Sequence, residues 1–232
     1  MENETRLGLW NSSYERQENH VFEPSDEVVR FVSRFLRKRV QIALIIDVLE
    51  ESAGMKVLDL GCGIGRHIKY GGSMGLDMYG AELSGEAVRV AHDWLSPSMG
   101  DKAFEKIKAC DARRLPWSDG YFNHIISDSV IDSMEWDIAK EVVRDAARVL
   151  RTGGLFYCSL IALKKANGDM YNNQITVMST HEQGTIQSFF DLEKIKNLFG
   201  DAFEIISTEL HSIDNLGQNE IPGRWHLVLR RI

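Results

Sequence analysis

The sequence predicts an α/β protein with a mainly parallel sheet and helices on both of its faces. After Gly54, short apolar runs alternate with stretches of helical periodicity, which is typical of βαβ units. A glycine-rich turn at residues 61–65 joins the first apolar run to the next helical stretch. The last two apolar runs have no helical stretch between them, so we expect an antiparallel hairpin to close the sheet. These observations predict a doubly wound sheet of about seven strands with an N-terminal helical cap.

Composition and charge fit one folded domain. The chain has 232 residues, 44% of them hydrophobic, and 27 basic against 34 acidic residues give a net charge of −7. This length suits one large domain with a small cap, and we divide it into an N-terminal lid and cap helix, residues 1–50, and a main domain, residues 51–232. The negative balance gives no general attraction to nucleic acids or membranes, so neither is an expected partner.

The cysteines and the N-terminus favour a cytoplasmic protein. Cys62, Cys110 and Cys158 are odd in number and lack the spacing of a zinc site or a disulfide scaffold, so no metal is expected. The first residues are polar, and no stretch of 18 residues is uninterruptedly apolar. We therefore expect neither a signal peptide nor a membrane span.

The N-terminal part is expected to hold a loose segment and one long helix. Trp10 and Tyr14 are isolated aromatics in a polar stretch. Ser25 is a good N-cap, and apolar residues recur at helical spacing after it, so we predict a helix from residue 26 to Leu49. Its five basic side chains, between residues 30 and 39, are interpreted as a solvated flank, with a nucleic-acid surface as the alternative.

The remaining elements follow from the pattern of apolar residues. The predicted strands are residues 57–60, 76–82, 104–110, 122–127, 155–163, 203–212 and 225–231. The predicted helices are a short one after residue 65 and residues 84–95, 136–150 and 192–199. Residues 164–184 are predicted to be a mixed loop, and the turn of the closing hairpin is predicted at Asp214, Asn215, Gly217 and Pro222.

The glycine-rich turn is the most informative segment. Residues 57–67 are Val-Leu-Asp-Leu-Gly-Cys-Gly-Ile-Gly-Arg-His, so three glycines at a GxGxG spacing lie where a strand turns into a helix. Glycines at such a turn let the backbone approach a ligand closely and adopt positive φ angles. A nicotinamide dinucleotide site requires GxGxxG, and Arg66 occupies the position of its third glycine, so that class is disfavoured.

Acidic residues follow the second and third strands. Glu82 ends the second strand, and Asp111 follows the third in the stretch Ala-Cys-Asp-Ala. A carboxylate offers two acceptors to the vicinal hydroxyls of a ribose. Together with the glycine turn, the stretch 122–128 and the turn 151–155, these segments resemble the motifs of class I S-adenosylmethionine-dependent methyltransferases of the small-molecule type. The resemblance covers about residues 55–163.

The resemblance implies a Rossmann-like fold with S-adenosylmethionine as the cofactor. It implies that Asp59 steadies the turn near the methionine amino group, that Glu82 holds the ribose hydroxyls, and that Asp111 accepts a hydrogen bond from the adenine amino group. The residues assigned to the cofactor site are Asp59, Gly61, Gly63, Gly65, Glu82, Leu83, Asp111, Ala112 and Ser127. A lid over the cofactor and acceptor is also implied, with Trp10 and Tyr14 as candidates; simple anchoring of the N-terminus is the alternative.

The catalytic groups are less well defined. Methyl transfer from a sulfonium needs the acceptor held in line with the methyl group, and a base helps only a hydroxyl acceptor. The stretch after the fourth strand lacks the Asn/Asp-Pro-Pro-aromatic tetrapeptide of families that methylate nucleic-acid bases, and it lacks the histidine of many small-molecule members. The catalytic residue is therefore unknown, with Asp128, Asp132 and His181 as candidates; His181 and Glu182 are alternatively a surface loop.

The sequence thus predicts a methyltransferase that acts on a small polar acceptor by O- or N-methylation. The alternatives are a protein or tRNA methyltransferase that uses basic residues 30–39, or a non-catalytic cofactor-binding subunit. The intact carboxylates of the cofactor site argue against the latter. Arg66 and His67 are either ligand contacts or packing residues. Neither the acceptor nor the oligomeric state follows from the sequence.

Overall fold

The N-terminal part of the chain forms two helices and a hairpin. The computed structural model describes residues 2–48, 54–163, 174–212 and 223–232, with side chains from residue 5 onward. The first elements are α1 (Glu2–Glu15), α2 (Asp26–Phe31), a π-helical turn (Val32–Leu36), β1 (Arg37–Gln41) and β2 (Leu44–Asp47). Ser25 caps α2 by accepting a hydrogen bond from the backbone N–H of Val28, as predicted.

Strands and helices alternate in the rest of the chain. They are β3 (Lys56–Leu60), α3 (Arg66–Ser73), β4 (Asp77–Glu82), α4 (Gly85–Met99), α5 (Lys102–Lys106), β5 (Ile107–Ala109), β6 (Phe122–Ser127), α6 (Trp136–Val149), β7 (Leu150–Ile161), β8 (Gln174–Thr176), β9 (Ile186–Ser188), α7 (Leu192–Phe199), β10 (Phe203–His211) and β11 (Arg224–Arg231). Within the described ranges, no helix is both long and apolar enough to cross a membrane.

Seven strands form one mixed sheet in the order β10-β11-β7-β6-β3-β4-β5. The five strands from β7 to β5 are parallel, and β11 and β10 add an antiparallel hairpin at one end. The chain moves outward from β3 to β5 and then returns to place β6 on the other side of β3. Such a reversal leaves a crevice at the carboxyl ends of the two central strands.

Burial explains why these segments form the centre of the sheet. All residues of β3 after Lys56 and all residues of β4 after Asp77 are buried, as expected of strands covered by helices on both faces. Helix α6 buries an apolar stripe against one face, in a cluster that includes Phe122 and Phe156. The π-helical turn after α2 buries Leu36 in the cluster on the other face. The predicted doubly wound α/β fold is therefore confirmed.

The predicted helix from residue 26 to Leu49 is wrong beyond Leu36. The segment that follows is the antiparallel hairpin of β1 and β2. It is rich in valine and isoleucine, whose branched side chains favour extended backbone over helix. Three of the five basic residues between 30 and 39 therefore lie on β1, and Leu49 itself lies outside the described residues.

Smaller differences concern element boundaries. Only residues 107–109 of the predicted strand 104–110 are extended, because α5 precedes them. Strand β7 begins at Leu150, so Gly153 and Gly154 lie within it and do not precede it. The predicted mixed loop contains β8, which pairs with β9 just beyond the end of that loop. Outside the described residues lie 164–173 of that loop and the hairpin turn at Asp214, Asn215, Gly217 and Pro222.

Candidate functional site

A cleft lies at the carboxyl edge of the sheet, where the chain reverses between β3 and β6. It holds about 1060 Å³ of empty space, part of it open to solvent, and helix α1 covers it. One wall is made by the glycine turn and the ends of β4 and β5, including Leu83. The other is made by the segment after β6 and the N-terminal segment. Among the described residues, no cluster of His, Cys, Asp and Glu is placed to hold a metal ion.

The glycine turn adopts backbone conformations that other residues avoid. Gly61, Gly63 and Gly65 have φ angles of 72°, 52° and 85°. A Cβ atom on Gly61 would overlap Val130, and one on Gly63 would lie 2.7 Å from the Tyr14 hydroxyl. A Cβ on Gly65 would instead enter the core beside α4. Gly61 and Gly63 therefore keep the cleft open, and Gly65 serves the turn.

Glu82 ends β4 and lines the cleft with only 7% of its surface exposed. Its Oε2 accepts a hydrogen bond from the Gly63 N–H at 3.0 Å, and its Oε1 accepts one from the Ser84 N–H at 2.8 Å. Burial raises the pKa of this carboxyl above its ordinary value, and the backbone hydrogen bonds oppose that shift. A carboxylate has about four acceptor positions, so Glu82 is fixed by the protein and still able to bind a ligand.

The end of β5 contributes backbone and small side chains. Cys110 and Ala112 line the cleft, whereas Asp111 is not among the described lining residues. Arg113 holds the Asp111 carboxylate through an Nη2–Oδ2 contact of 2.7 Å and a backbone N–H donated to Oδ1 at 2.9 Å. Burial alone would raise the pKa of Asp111, but the Arg113 hydrogen bonds bring it below its ordinary value. Asp111 thus remains an ionised acceptor beside the cleft.

Asp128 follows β6 and places a second buried carboxylate on the cleft. Its Oδ1 accepts the Ser159 hydroxyl at 2.7 Å, and its Oδ2 lies 3.1 Å from an Arg66 guanidinium nitrogen and 3.9 Å from His67 Nε2. Burial would raise the pKa of Asp128, but His67, Ser159 and Arg66 together lower it. This wall therefore presents an ionised carboxylate paired with Arg66, which also lines the cleft.

Helix α1 covers the cleft through the predicted aromatic residues. Trp10 and Tyr14 both line the cleft, and Tyr14 is only 8% exposed. Burial raises the pKa of Tyr14 well above its ordinary value, so its hydroxyl stays protonated. The Ser84 hydroxyl donates to Asn11 Oδ1 at 2.7 Å, which ties the helix to the start of α4.

A second link joins the N-terminal segment to the loop between β8 and β9. The backbone N–H of Glu182 donates to Glu18 Oε2 at 3.0 Å, although 164 residues separate them. Leu9 packs against Gly184 in the same loop. A hydrogen bond from Arg16 lowers the pKa of Glu18 to about 2, so the acceptor is ionised. Glu182 lines the cleft, so the two segments close it together.

Two residues predicted for the cofactor site lie behind the cleft. Asp59 is 1% exposed, its Oδ1 lies 3.6 Å from His67 Nδ1, and its Oδ2 has no hydrogen-bond partner among the described residues. Ser127 is fully buried, and its hydroxyl also lacks a described partner. The structure therefore brings Gly61, Gly63 and the β4 end together at the cleft, with Asp59 and Ser127 beneath them.

Of the three catalytic candidates, the structure places only Asp128 among the described lining residues. Asp132 is 1% exposed and its Oδ2 accepts hydrogen bonds from Arg224 at 2.6 Å and from the Ile161 N–H at 2.9 Å. Burial raises its pKa despite that ion pair. The His181 side chain is 59% exposed and lies 3.7 Å from Glu182.

Several lining residues were not identified from the sequence. They are Arg6, Asn19, Val21, Cys62, Ile64, Ala81, Cys110, Ser129, Val130, Ser133 and Met134. Arg6 lies four residues before Trp10 on one face of α1, a helix that forms where the sequence predicted a loose segment. Asn19 donates to the Ser13 hydroxyl at 2.8 Å, and no motif in the sequence marks Asn19 or Val21.

Comparisons with known proteins agree with this geometry. Residues 58–158 match the family model described as a methyltransferase domain. Methyltransferase GfsG of Streptomyces halstedii is 37% identical over 109 residues, which cover 46% of this chain and 37% of that protein. The chloroplastic tocopherol O-methyltransferase of Arabidopsis thaliana is 31% identical over 162 residues, 66% of this chain and 45% of that protein. The chain thus matches less than half the length of these relatives.

A solved structure supports the fold. The SAM-dependent methyltransferase from Methanosarcina mazei superposes with a TM-score of 0.64 and 18% sequence identity. The match covers 81% of this chain and 100% of that one. At this identity the likeness concerns the fold, which is the doubly wound sheet described above.

Proposed function

We propose that the protein is a class I S-adenosylmethionine-dependent methyltransferase that transfers the methyl group to an oxygen or nitrogen of a small polar acceptor. The match of residues 58–158 to a methyltransferase domain supports this proposal. The observation that carries this proposal is the cleft itself. Positive-φ glycines, the fixed Glu82 carboxylate and the Asp128 carboxylate converge on it from three strand ends. This arrangement supports a division of the cleft into two halves: a first half that binds the nucleoside of the cofactor and a second half that binds the acceptor.

The residues of the first half fit the cofactor. A side chain at Gly61 would overlap Val130, and one at Gly63 would meet the Tyr14 hydroxyl of the lid, so either would fill the cradle. The free acceptor positions of Glu82 suit ribose hydroxyls, and Cys110 and Ala112 line the cleft where we place the adenine. The orphaned Asp59 Oδ2 needs a hydrogen-bond donor, which supports a position beneath the methionine end. When bound, the cofactor supplies an activated methyl group and a neutral leaving group.

The second half supports binding of a polar acceptor. Asp128 is held ionised at the cleft wall and accepts hydrogen bonds from a hydroxyl or an amine. Asn19 and Glu182 add polar groups from the closing segments. We propose that Asp128 orients the acceptor, because positioning in line with the methyl group is the main task of such a site. Asp132 and His181 are weaker candidates, because the one is buried in an ion pair and the other faces solvent.

A small-molecule acceptor is favoured over tRNA or protein. Three of the five basic side chains proposed for a macromolecular surface are ion-paired: Arg30 with Glu27, Arg34 with Glu209 and Arg37 with Asp47. The lid covers part of the cleft, which suits a compact acceptor. The Arabidopsis relative is named as a tocopherol O-methyltransferase. We therefore propose transfer to oxygen as the first reaction to test.

Binding of S-adenosylhomocysteine tests the cofactor half without knowledge of the acceptor. In calorimetric titrations, Glu82→Ala is expected to weaken binding by roughly 1–3 kcal/mol, because it leaves ribose hydroxyls unpaired. Glu86→Ala is the matched control, since Glu86 forms its ion pair with Arg89 on the surface of α4. Equal affinity of Glu82→Ala and wild type would contradict this placement of the ribose.

Turnover then separates an enzyme from a non-catalytic subunit. Wild-type protein is incubated with S-adenosylmethionine and a panel of phenolic, sugar and amine acceptors, and S-adenosylhomocysteine formation is measured. Acceptor-dependent product that is lost in Glu82→Ala would support the proposal. Tight binding with no product from any acceptor would favour the cofactor-binding subunit.

A further inference from the structure

The Glu18 carboxylate receives hydrogen bonds from three donors, although Glu18 is not among the described residues that line the cleft. Its Oε2 accepts the Ser13 hydroxyl at 2.9 Å and the Glu182 N–H at 3.0 Å, and its Oε1 accepts Arg16 Nε at 2.7 Å. Ser13 and Arg16 belong to the same short segment as Glu18, so they hold the carboxylate in place for the amide of the distant loop. Hydrogen bonds to an ionised acceptor are the stronger kind.

Glu18 also fixes Asn19 through Ser13. The Nδ2 of Asn19 donates to the Ser13 hydroxyl oxygen at 2.8 Å, and Ser13 is only 1% exposed. The Oδ1 of Asn19 has no hydrogen-bond partner within the described ranges, so this side chain offers an acceptor to a ligand. Because Asn19 lines the cleft, the position of this acceptor depends on Glu18.

Strained backbone surrounds the link between Glu18 and Glu182. In the part of the chain that the structure describes, three non-glycine residues have positive φ angles: Gln17 at 59°, Glu182 at 55° and Ser129 at 62°. Gln17 precedes Glu18, Glu182 is the other end of the link, and Ser129 lines the cleft. Such backbone costs free energy, persists only where its surroundings enforce it, and concentrates at functional sites. The strain therefore supports a functional role for the link and not one in stability alone.

The lid and the loop depend on Glu18 to different degrees. Helix α1 has a contact of its own with the body of the protein, which is the 2.7 Å hydrogen bond from the Ser84 hydroxyl to Asn11. The loop between β8 and β9 meets the N-terminal segment through the hydrogen bond from the Glu182 amide to Glu18. Loss of the Glu18 carboxylate is therefore expected to release the loop while α1 stays over the cofactor half.

We propose that Glu18 is a positioning residue for methyl transfer, because it holds Asn19 and Glu182 against the acceptor in the second half of the cleft. This inference rests on the proposed function, which assigns both residues to that half. The groups that Glu18 places there are the Oδ1 of Asn19 and the carboxylate of Glu182, and both accept hydrogen bonds. The acceptor that fits them therefore carries further hydroxyl or amine donors beside the reacting atom.

Kinetics with an acceptor identified from the panel test this role. In Glu18→Ala, kcat/KM for the acceptor is expected to fall at least about tenfold, mainly through KM, because a small misplacement of the contacting groups is costly. Affinity for S-adenosylhomocysteine is expected to stay within about twofold, because its half of the cleft is separate from the loop. Glu18→Gln keeps an oxygen acceptor for the Glu182 amide and should restore part of the loss. Glu15→Ala is the matched control, since Glu15 is an exposed carboxylate at the end of α1.

Proteolysis measures the position of the loop without any acceptor. Cleavage after Glu182 by a glutamate-specific protease is expected to be at least about fivefold faster in Glu18→Ala than in wild type or Glu15→Ala, because the released loop is accessible more often. Unchanged thermal unfolding shows that each variant is folded. Unchanged cleavage overturns the proposal, and so does a loss of S-adenosylhomocysteine affinity as large as the loss of kcat/KM. If no acceptor gives product, the proposed function fails, and the cleavage rates still decide whether Glu18 holds the loop.

Discussion

The two halves of the cleft are built in different ways. The half that we assign to the cofactor consists of one turn and three strand ends, and its shape comes from backbone: positive-φ glycines and N–H groups that hold Glu82. The half that we assign to the acceptor is assembled from side chains of distant segments, such as Asp128 with Ser159 and Glu18 with Glu182. A backbone cradle tolerates few substitutions, whereas a side-chain wall can change its chemistry without loss of the fold.

The largest effect on stability is expected from a substitution in the cofactor half of the cleft, whose shape comes from the backbone. Gly61→Ala places a Cβ atom against Val130 at a φ of 72°. We expect it to lower the free energy of unfolding by about 2–4 kcal/mol, from left-handed strain and overpacking together. Urea unfolding measures this change, and S-adenosylhomocysteine binding should be lost in parallel.

Gly72→Ala is the control for that substitution. Gly72 lies within α3, and a Cβ atom there would meet nothing within 4 Å. Alanine should stabilise the protein by about 0.5–1 kcal/mol, as expected in a helix. If Gly61→Ala were as well tolerated as Gly72→Ala, the backbone would not define this half of the cleft.

Asp128→Asn is expected to lower stability less, and by an amount that depends on pH. The folded-state pKa of Asp128 is lowered, so its contribution to stability is present above the ordinary aspartate pKa and is lost as the pH falls through the folded value. The variant should lose about 1–3 kcal/mol at neutral pH, since Arg66 loses a charged partner. Its stability should then change less than that of wild type as the pH is lowered.

Unfolding measured from pH 7 to pH 3 checks this expectation, with Asp137→Asn as the exposed control. The acceptor role is checked separately. Turnover should fall in Asp128→Asn while affinity for S-adenosylhomocysteine stays within about twofold. A parallel loss of cofactor affinity would place Asp128 in the first half of the cleft and remove the distinction between the halves.

The smallest effect is expected from Tyr14→Phe in the lid. The Tyr14 hydroxyl lies over Gly63, and no described hydrogen bond to the protein involves it. Stability should therefore change by less than about 0.5 kcal/mol. If the hydroxyl contacts the ligand, its removal should lower affinity or turnover by up to about fivefold. Unchanged affinity and unchanged turnover would remove Tyr14 from ligand contact and leave it as an anchor.

The same contrast explains what the sequence could predict. The glycine turn and Glu82 are local features, because a strand, a turn and the next strand end determine them within 30 residues. The same regular alternation predicted the doubly wound sheet, and the structure then supplied the order of its strands. Strand 122–127 and helix 192–199 have the predicted bounds because their apolar periods are unambiguous.

The failures have equally specific causes. The segment 37–47 carries apolar residues that satisfy a helical period, but its isoleucine and valine content favours the hairpin that forms. The sequence also could not predict that Asp128 lines the cleft whereas Asp132 is buried. This difference depends on Arg224 in the last strand, which forms an ion pair with Asp132. Contacts between residues that are distant in the sequence determine such differences, and the sequence alone does not show these contacts.

The hydrogen bond from the Glu182 amide to Glu18 makes that amide a reporter of lid opening. The Glu182 amide lies in a loop whose own ladder does not use it, so its protection from deuterium exchange depends on the N-terminal segment. When the lid opens, this amide meets solvent. Its exchange rate therefore reports opening of the lid, and slower exchange with a bound ligand would show that the ligand holds the lid closed.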